Sequence, residues 1–230
     1  METEKNSLED KVQKVLSNRY DHLAEVPPEP EYLISIGGKG IALPGSIIGI
    51  YGMSKSRKSS FMAMVAAACL SPTGKFEHIT SKIKGEIIWV DTEQSETEVK
   101  YFQDKIVSMS KAEDSDYIYD RYFALKLRPY EELERLEILD RIFSDEDLFE
   151  NAGLIVLDGI ADFVYNVNDM EASKKLVTKL TNWADKLQVP IIVALHTNKD
   201  GKDATGSLGG FLNKKCSYAI KSEIQYDGGP

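Results

Sequence analysis

Residues 47–70 constrain this chain more than any other segment. Ile47-Ile48-Gly49-Ile50-Tyr51 is an apolar run rich in strand formers. Gly52-Met53-Ser54-Lys55-Ser56-Arg57-Lys58-Ser59-Ser60 is small, polar and basic, and Phe61 to Leu70 is an apolar helical stretch. A buried strand, a short loop and a helix opening on Lys-Ser is the layout of a phosphate-binding loop, G-x-x-x-x-G-K-[ST]. Such a loop wraps polyphosphate with successive backbone N–H groups, and the helix N-terminus adds partial positive charge. Residues 52–60 are the candidate cradle. Lys58 would reach the outer phosphates and the Ser59 hydroxyl would ligate Mg²⁺. Arg57 stands where the second glycine of the pattern belongs. A positive φ there costs a non-glycine residue on the order of 1 kcal/mol, which a fold tolerates. The Arg57 side chain can point outward, and Lys55 adds a second cation. The competing reading is a decayed loop in a plain strand–turn–helix.

Strands and helices alternate through the rest of the chain. Strands are expected at 32–36, 47–51, 85–90, 123–127, 154–157 and 191–195. Helices are expected at 7–24, at 96–110, from Pro129 onward and at 169–187. Gly37-Gly38-Lys39-Gly40 reads as a turn. Near-continuous apolar strands alternating with helices predict an α/β fold, with a mainly parallel central sheet and helices on both faces. Ligands of such sheets bind at the carboxyl ends of the strands. Functional side chains follow the strands in that way. Asp158 closes Leu154-Ile155-Val156-Leu157 and is placed to hold Mg²⁺ and accept from Ser59. Glu93 follows Trp89-Val90-Asp91-Thr92, on a strand expected to neighbour that of the phosphate loop. It is placed to orient or deprotonate a water, with Asp91 as its competitor. His196 ends the last apolar strand, where a polar side chain can sense a terminal phosphate. Residues 198–210 read as a long glycine-rich loop. Lys199 and Lys202, with Lys214 and Lys215 beyond, give it a basic bias.

The remaining features bound the setting. The net charge is −9, so DNA contact requires a local basic patch or a site shared by several subunits. Two distant cysteines, Cys69 and Cys216, fit a reducing cytoplasm and no disulfide scaffold. The first ten residues carry no apolar signal core, and no apolar run reaches membrane-spanning length, so no membrane partner is expected. Val26-Pro27-Pro28-Glu29-Pro30 breaks the first helix. It divides an arm and linker at 1–30 from a domain at 31–230. That helix either packs on its own core or links subunits.

Taken together, these motifs resemble the RecA-type P-loop ATPase core, and most closely the RepA-like, DnaB-related ATPases of plasmids, phages and mobile elements. The resemblance covers residues 30–225. It rests on residues 52–60, on Asp91-Thr92-Glu93, on the strand ending at Asp158, and on Val193-Ala194-Leu195-His196-Thr197-Asn198 followed by Gly206-Ser207-Leu208-Gly209. It implies Mg-ATP at the interface of a homo-oligomeric ring or filament that acts on DNA. Glu93 then matches the catalytic glutamate, Asp158 the Walker B acid and His196 the polar sensor. The 198–210 loop matches a contact to single-stranded DNA. Lys214, Lys215 and Lys221 are candidates for the cation that relatives supply from a neighbouring subunit. The expected activity is ATP hydrolysis by a helicase-like motor; the alternative is a nucleotide-binding accessory protein with little turnover. Departures from the family are Arg57, the net acidity, and an end soon after residue 226 that would leave out terminal strands or a DNA-binding domain. Lys-Ser-Arg-Lys in the loop is similar to some mobile-element relatives, which implies a subgroup trait.

Overall fold

The computed structural model describes residues 8–17, 28–111, 120–144, 149–198, 201 and 203–223. The chain divides into two units, Met1–Pro30 and Glu31–Pro230. In the first, helix α1 (Leu8–Ser17) buries none of its residues. The rest of the helix expected at 7–24 lies outside the described residues.

The second unit is built on six parallel strands. In chain order these are β3 (Ile47–Gly52), β6 (Glu86–Asp91), β7 (Tyr122–Lys126), β8 (Ala152–Asp158), β9 (Ile191–His196) and β10 (Tyr218–Lys221). Their order across the sheet is β10-β3-β9-β8-β6-β7. Right-handed crossovers explain where the helices lie. From β3 to β6 to β7 the chain steps in one direction, so α2 (Lys58–Leu70) and α3 (Glu96–Ser110) share a face. From β7 back to β8, β9 and β10 it steps the other way. That puts α4 (Glu132–Ser144), α5 (Met170–Leu187) and α6 (Gly206–Lys215) on the opposite face. Strand residues alternate between the two cores: Ile48, Ile50, Trp89 and Val156 face α2, while Ile88, Ile155, Leu157 and Val193 face α5.

A second, antiparallel sheet has the order β2-β1-β5-β4, formed by β1 (Ile34–Ile36), β2 (Lys39–Ala42), β4 (Lys75–Phe76) and β5 (Ile79–Ser81). Its Ile34, Ile41 and Ile79 join the core around α2. This accounts for the composition of α2. Nine of its thirteen residues are buried, so the helix lacks a polar face and is sandwiched between two sheets.

Three expectations need correction. Glu93 does not follow a neighbour of β3, because β9 and β8 lie between β3 and β6. Gly37 and Gly38 form the turn of a hairpin, but Lys39 and Gly40 already belong to β2. Residues 198–210 are not one loop. Thr197 bridges Ala204, and α6 starts at Gly206. The backbone of Gly209 packs against Ala204 so closely that a Cβ would lie 2.5 Å from the Ala204 carbonyl carbon. The sequence reading also misses four strands, β2, β4, β5 and β10, the last of which pairs with β3 along its whole length.

Candidate functional site

The carboxyl ends of the strands converge on one cavity of about 410 Å³, within the usual range for small-molecule sites. Its walls include residues 54–60, Glu93, Asp158 and His196. Register explains the convergence. Gly52 pairs with His196 across β3 and β9, and Asp91 pairs with Asp158 across β6 and β8.

The loop is held by two left-handed residues. Lys55 (φ 64°) and Arg57 (φ 65°) have positive φ, and Ser56 between them does not. Alternation of this kind turns successive N–H groups to one side, forming an anion nest. Arg57 sits at the N-cap position of α2 without a side-chain cap bond, and its side chain is exposed. The structure therefore places an arginine in the conformation a glycine would take, at a cost on the order of 1 kcal/mol. Lys55 is exposed beside it. Gly52 cannot carry a side chain: a Cβ would lie 2.3 Å from Ser56 Oγ and 2.5 Å from the Ser222 carbonyl oxygen.

Lys58 is buried and folded back on its own loop. Its Nζ donates to the carbonyls of Gly52 and Met53, each at 3.0 Å, and to His196 Nδ1 at 3.1 Å. An ammonium has no acceptor capacity, so Nδ1 accepts and the neutral imidazole carries its proton on Nε2. Burial lowers the Lys58 pKa, against the opposing pull of the Asp158 and Glu93 charges. His196 passes the contact onward. Its carbonyl accepts from the Thr205 amide at 3.0 Å and from the Thr205 hydroxyl at 2.8 Å, directly before α6.

Asp158 is a poorly solvated carboxylate. Burial pushes its pKa up to about 6; the Ser59 hydroxyl bonded to it pulls the other way, the charges of Asp91 and Glu93 raise it, and Lys58 lowers it. Its Oδ2 is buried without a hydrogen-bond partner. An orphaned carboxylate oxygen beside a serine hydroxyl fits Mg²⁺, which takes hard oxygen donors and few of them from the protein. No group of three or more acidic, His or Cys side chains gathers for a metal among the described residues. The remaining ligands would come from phosphate and water.

Glu93 is exposed at the mouth of the cavity, and its position is set by its neighbours. Asp91 points back under the loop: Oδ1 accepts the amides of Glu93 (3.0 Å) and Gln94 (2.7 Å). Thr92 is buried and donates to Asp162 Oδ2 at 2.7 Å, tying the loop to the turn after β8. That turn needs Gly159, whose φ is 100° and whose Cβ would lie 2.4 Å from Thr92 Oγ1. Asp91 is thus a brace for Glu93. Asp162 and Gly159 also line the cavity and escaped the sequence reading.

Lys199 and Lys202 lie outside the described residues. Lys214 is exposed and sits over the Phe211 ring, 5.8 Å from its centroid, Lys215 is exposed, and Lys221 pairs with Glu223 at 2.5 Å. Cys69 is buried and Cys216 half-buried, both as free thiols. No helix among the described residues is long and apolar enough to cross a membrane.

A protein-family model described as an AAA domain matches residues 9–202. No curated protein matches the chain.

Proposed function

The chain belongs to the AAA domain family of P-loop ATPases, and from that premise we propose that it binds Mg-ATP in the cavity at the strand ends and hydrolyses it. One observation carries the reading. Lys58, Ser59, Asp158, Glu93 and His196 come from four separate segments and meet around one cavity, with Lys58 and Ser59 opening α2.

The chemistry follows from these side chains. Lys58 exchanges its bonds to Gly52, Met53 and His196 for the outer phosphates. Ser59 and Asp158 would hold Mg²⁺, which would supply charge neutralisation for the phosphates. Glu93 takes the proton of a water attacking the γ-phosphorus, and the bond to the β–γ bridging oxygen breaks, giving ADP and phosphate. His196 loses the Lys58 ammonium when phosphate takes it. The change passes through its carbonyl to Thr205 and α6. We infer that the protein serves as a RecA-like, oligomeric, DNA-directed motor of a mobile element. The four-motif resemblance and the bridge between Thr197 and Ala204 beside His196 support this.

Comparing DNA-stimulated ATPase activity of the unaltered protein with Lys58→Ala and Glu93→Gln tests the reading. A rate no higher than the Lys58→Ala background would exclude a motor. A second reading, an accessory protein that binds nucleotide with little turnover, is favoured by the left-handed Arg57. It predicts ATP-dependent assembly with no strand separation.

A further inference from the structure

We propose that Ser222 is a positioning residue of the phosphate loop: its hydroxyl latches the Ser56 carbonyl and so keeps Arg57 in the left-handed conformation. The inference rests on the nucleotide reading of the cavity.

Pairing of β10 with β3 ends at Lys221↔Tyr51, so Ser222 emerges beside the start of the loop. Its amide donates to the Tyr51 carbonyl at 2.7 Å, which fixes its backbone. Its hydroxyl donates to the Ser56 carbonyl at 2.5 Å. Its own carbonyl abuts Gly52 so tightly that a Cβ there would lie 2.5 Å away. Ser222 therefore touches the loop at its first residue and at the residue preceding Arg57.

The peptide plane makes that second contact consequential. In a planar trans peptide, the Ser56 C=O and the Arg57 N–H point in opposite directions. Holding the oxygen toward Ser222 aims the Arg57 N–H away from it; Arg57 lines the cavity and Ser222 does not. Rotating this one plane by half a turn would carry Arg57 from φ 65° to a negative value and relieve its strain. It would also present a carbonyl oxygen to the phosphates in place of a donor. With glycine at position 57 there is no strain to relieve, and the loop holds without a latch. An arginine there makes the rotated plane the more relaxed one, and Ser222 supplies the bond that opposes it. The β10 strand thus completes the grip that the departure at Arg57 would otherwise loosen.

A double-mutant cycle on the full chain tests this, using isothermal titration with Mg-ATP. Loss of one neutral hydrogen bond predicts that Ser222→Ala weakens binding about fivefold. Ser222→Thr, which keeps the hydroxyl, restores it. In an Arg57→Gly background the same Ser222→Ala change is expected to cost less than about twofold. A crystal structure of nucleotide-free Ser222→Ala gives a readout independent of ATP, with Arg57 expected at negative φ. Equal losses in both backgrounds, or Arg57 unchanged at positive φ in that crystal, would overturn the latch. A rotated peptide in a protein whose unaltered form binds no Mg-ATP would keep the latch and reject the nucleotide reading.

Discussion

Replacing Asp91 separates two roles that lie side by side after β6. Its Oδ1 accepts two amides, from Glu93 at 3.0 Å and Gln94 at 2.7 Å, and the side chain is buried. Hydrogen bonds to a charged acceptor contribute about 1.5–3 kcal/mol each. Burial raises the Asp91 pKa, opposed by the Gln94 and Glu93 amides, so part of that gain is offset by desolvation. A net loss of about 2–4 kcal/mol is expected for Asp91→Ala, which leaves both amides without their partner. Asp91→Asn keeps a carbonyl acceptor and should cost about 1 kcal/mol. Urea unfolding followed by tryptophan fluorescence measures both, since Trp89 is buried in the same strand. Turnover discriminates further. A general base contributes roughly 10²–10⁴ in rate, so Glu93→Gln should lose that much. Asp91→Asn should stay within about tenfold of the unaltered protein if Asp91 only positions the loop. If Asp91→Asn falls as far as Glu93→Gln, then Asp91 is the base. If Asp91→Ala costs less than about 1 kcal/mol, the two amides are not held as the geometry indicates.

Two further outcomes follow from packing and charge. Ala66→Leu in α2 should destabilise by about 1–3 kcal/mol, because the helix is enclosed between two sheets and the added carbons have no space; an unchanged unfolding midpoint would contradict the sandwich. Asp140 accepts from Lys179 at 2.6 Å and from Trp183 Nε1 at 3.1 Å. Burial alone would raise its pKa, but these bonds outweigh it and hold the carboxyl below 3.8. The unfolded chain therefore takes up the proton first. The stabilisation is present above pH 3.8 and is lost as pH falls through the folded value. Asp140→Asn should flatten this acid limb in a pH series of thermal unfolding.

Local signals make β1, β3, β6, β7, β8, β9 and most helices legible, but not β2, β4, β5 and β10, which have four residues or fewer. The span 96–110 is legible because Ser95 and Glu98 form a capping box in front of a periodic run. Asp158 and His196 were legible because apolar strands end on them. The order of the strands was not, since it depends on which crossovers the whole chain makes. Local sequence therefore suggests β6 beside β3, whereas β9 and β8 lie between them. The glycines at 206, 209 and 210 speak against helix locally, yet α6 forms because Leu208 and Leu212 bury against the sheet. Ser222 carries no motif at all. Its importance arises only when β10 brings it across more than 160 residues to Ser56.

The enclosure of α2 has a consequence for biosynthesis. A helix with no polar side is an aggregation hazard while it waits for partners. Its antiparallel sheath is local in sequence: β1 and β2 precede it, and β4 and β5 end at Ser81, eleven residues after Leu70. Its other cover comes from β3, which precedes it, and from β6, α3 and β9, so that it is completed only when residues 191–196 are synthesised. The small sheet is thus positioned to shield half of the helix early during translation, when local contacts form fastest. Variants that weaken β4 or β5 should lower soluble yield more than they lower the stability of protein already folded.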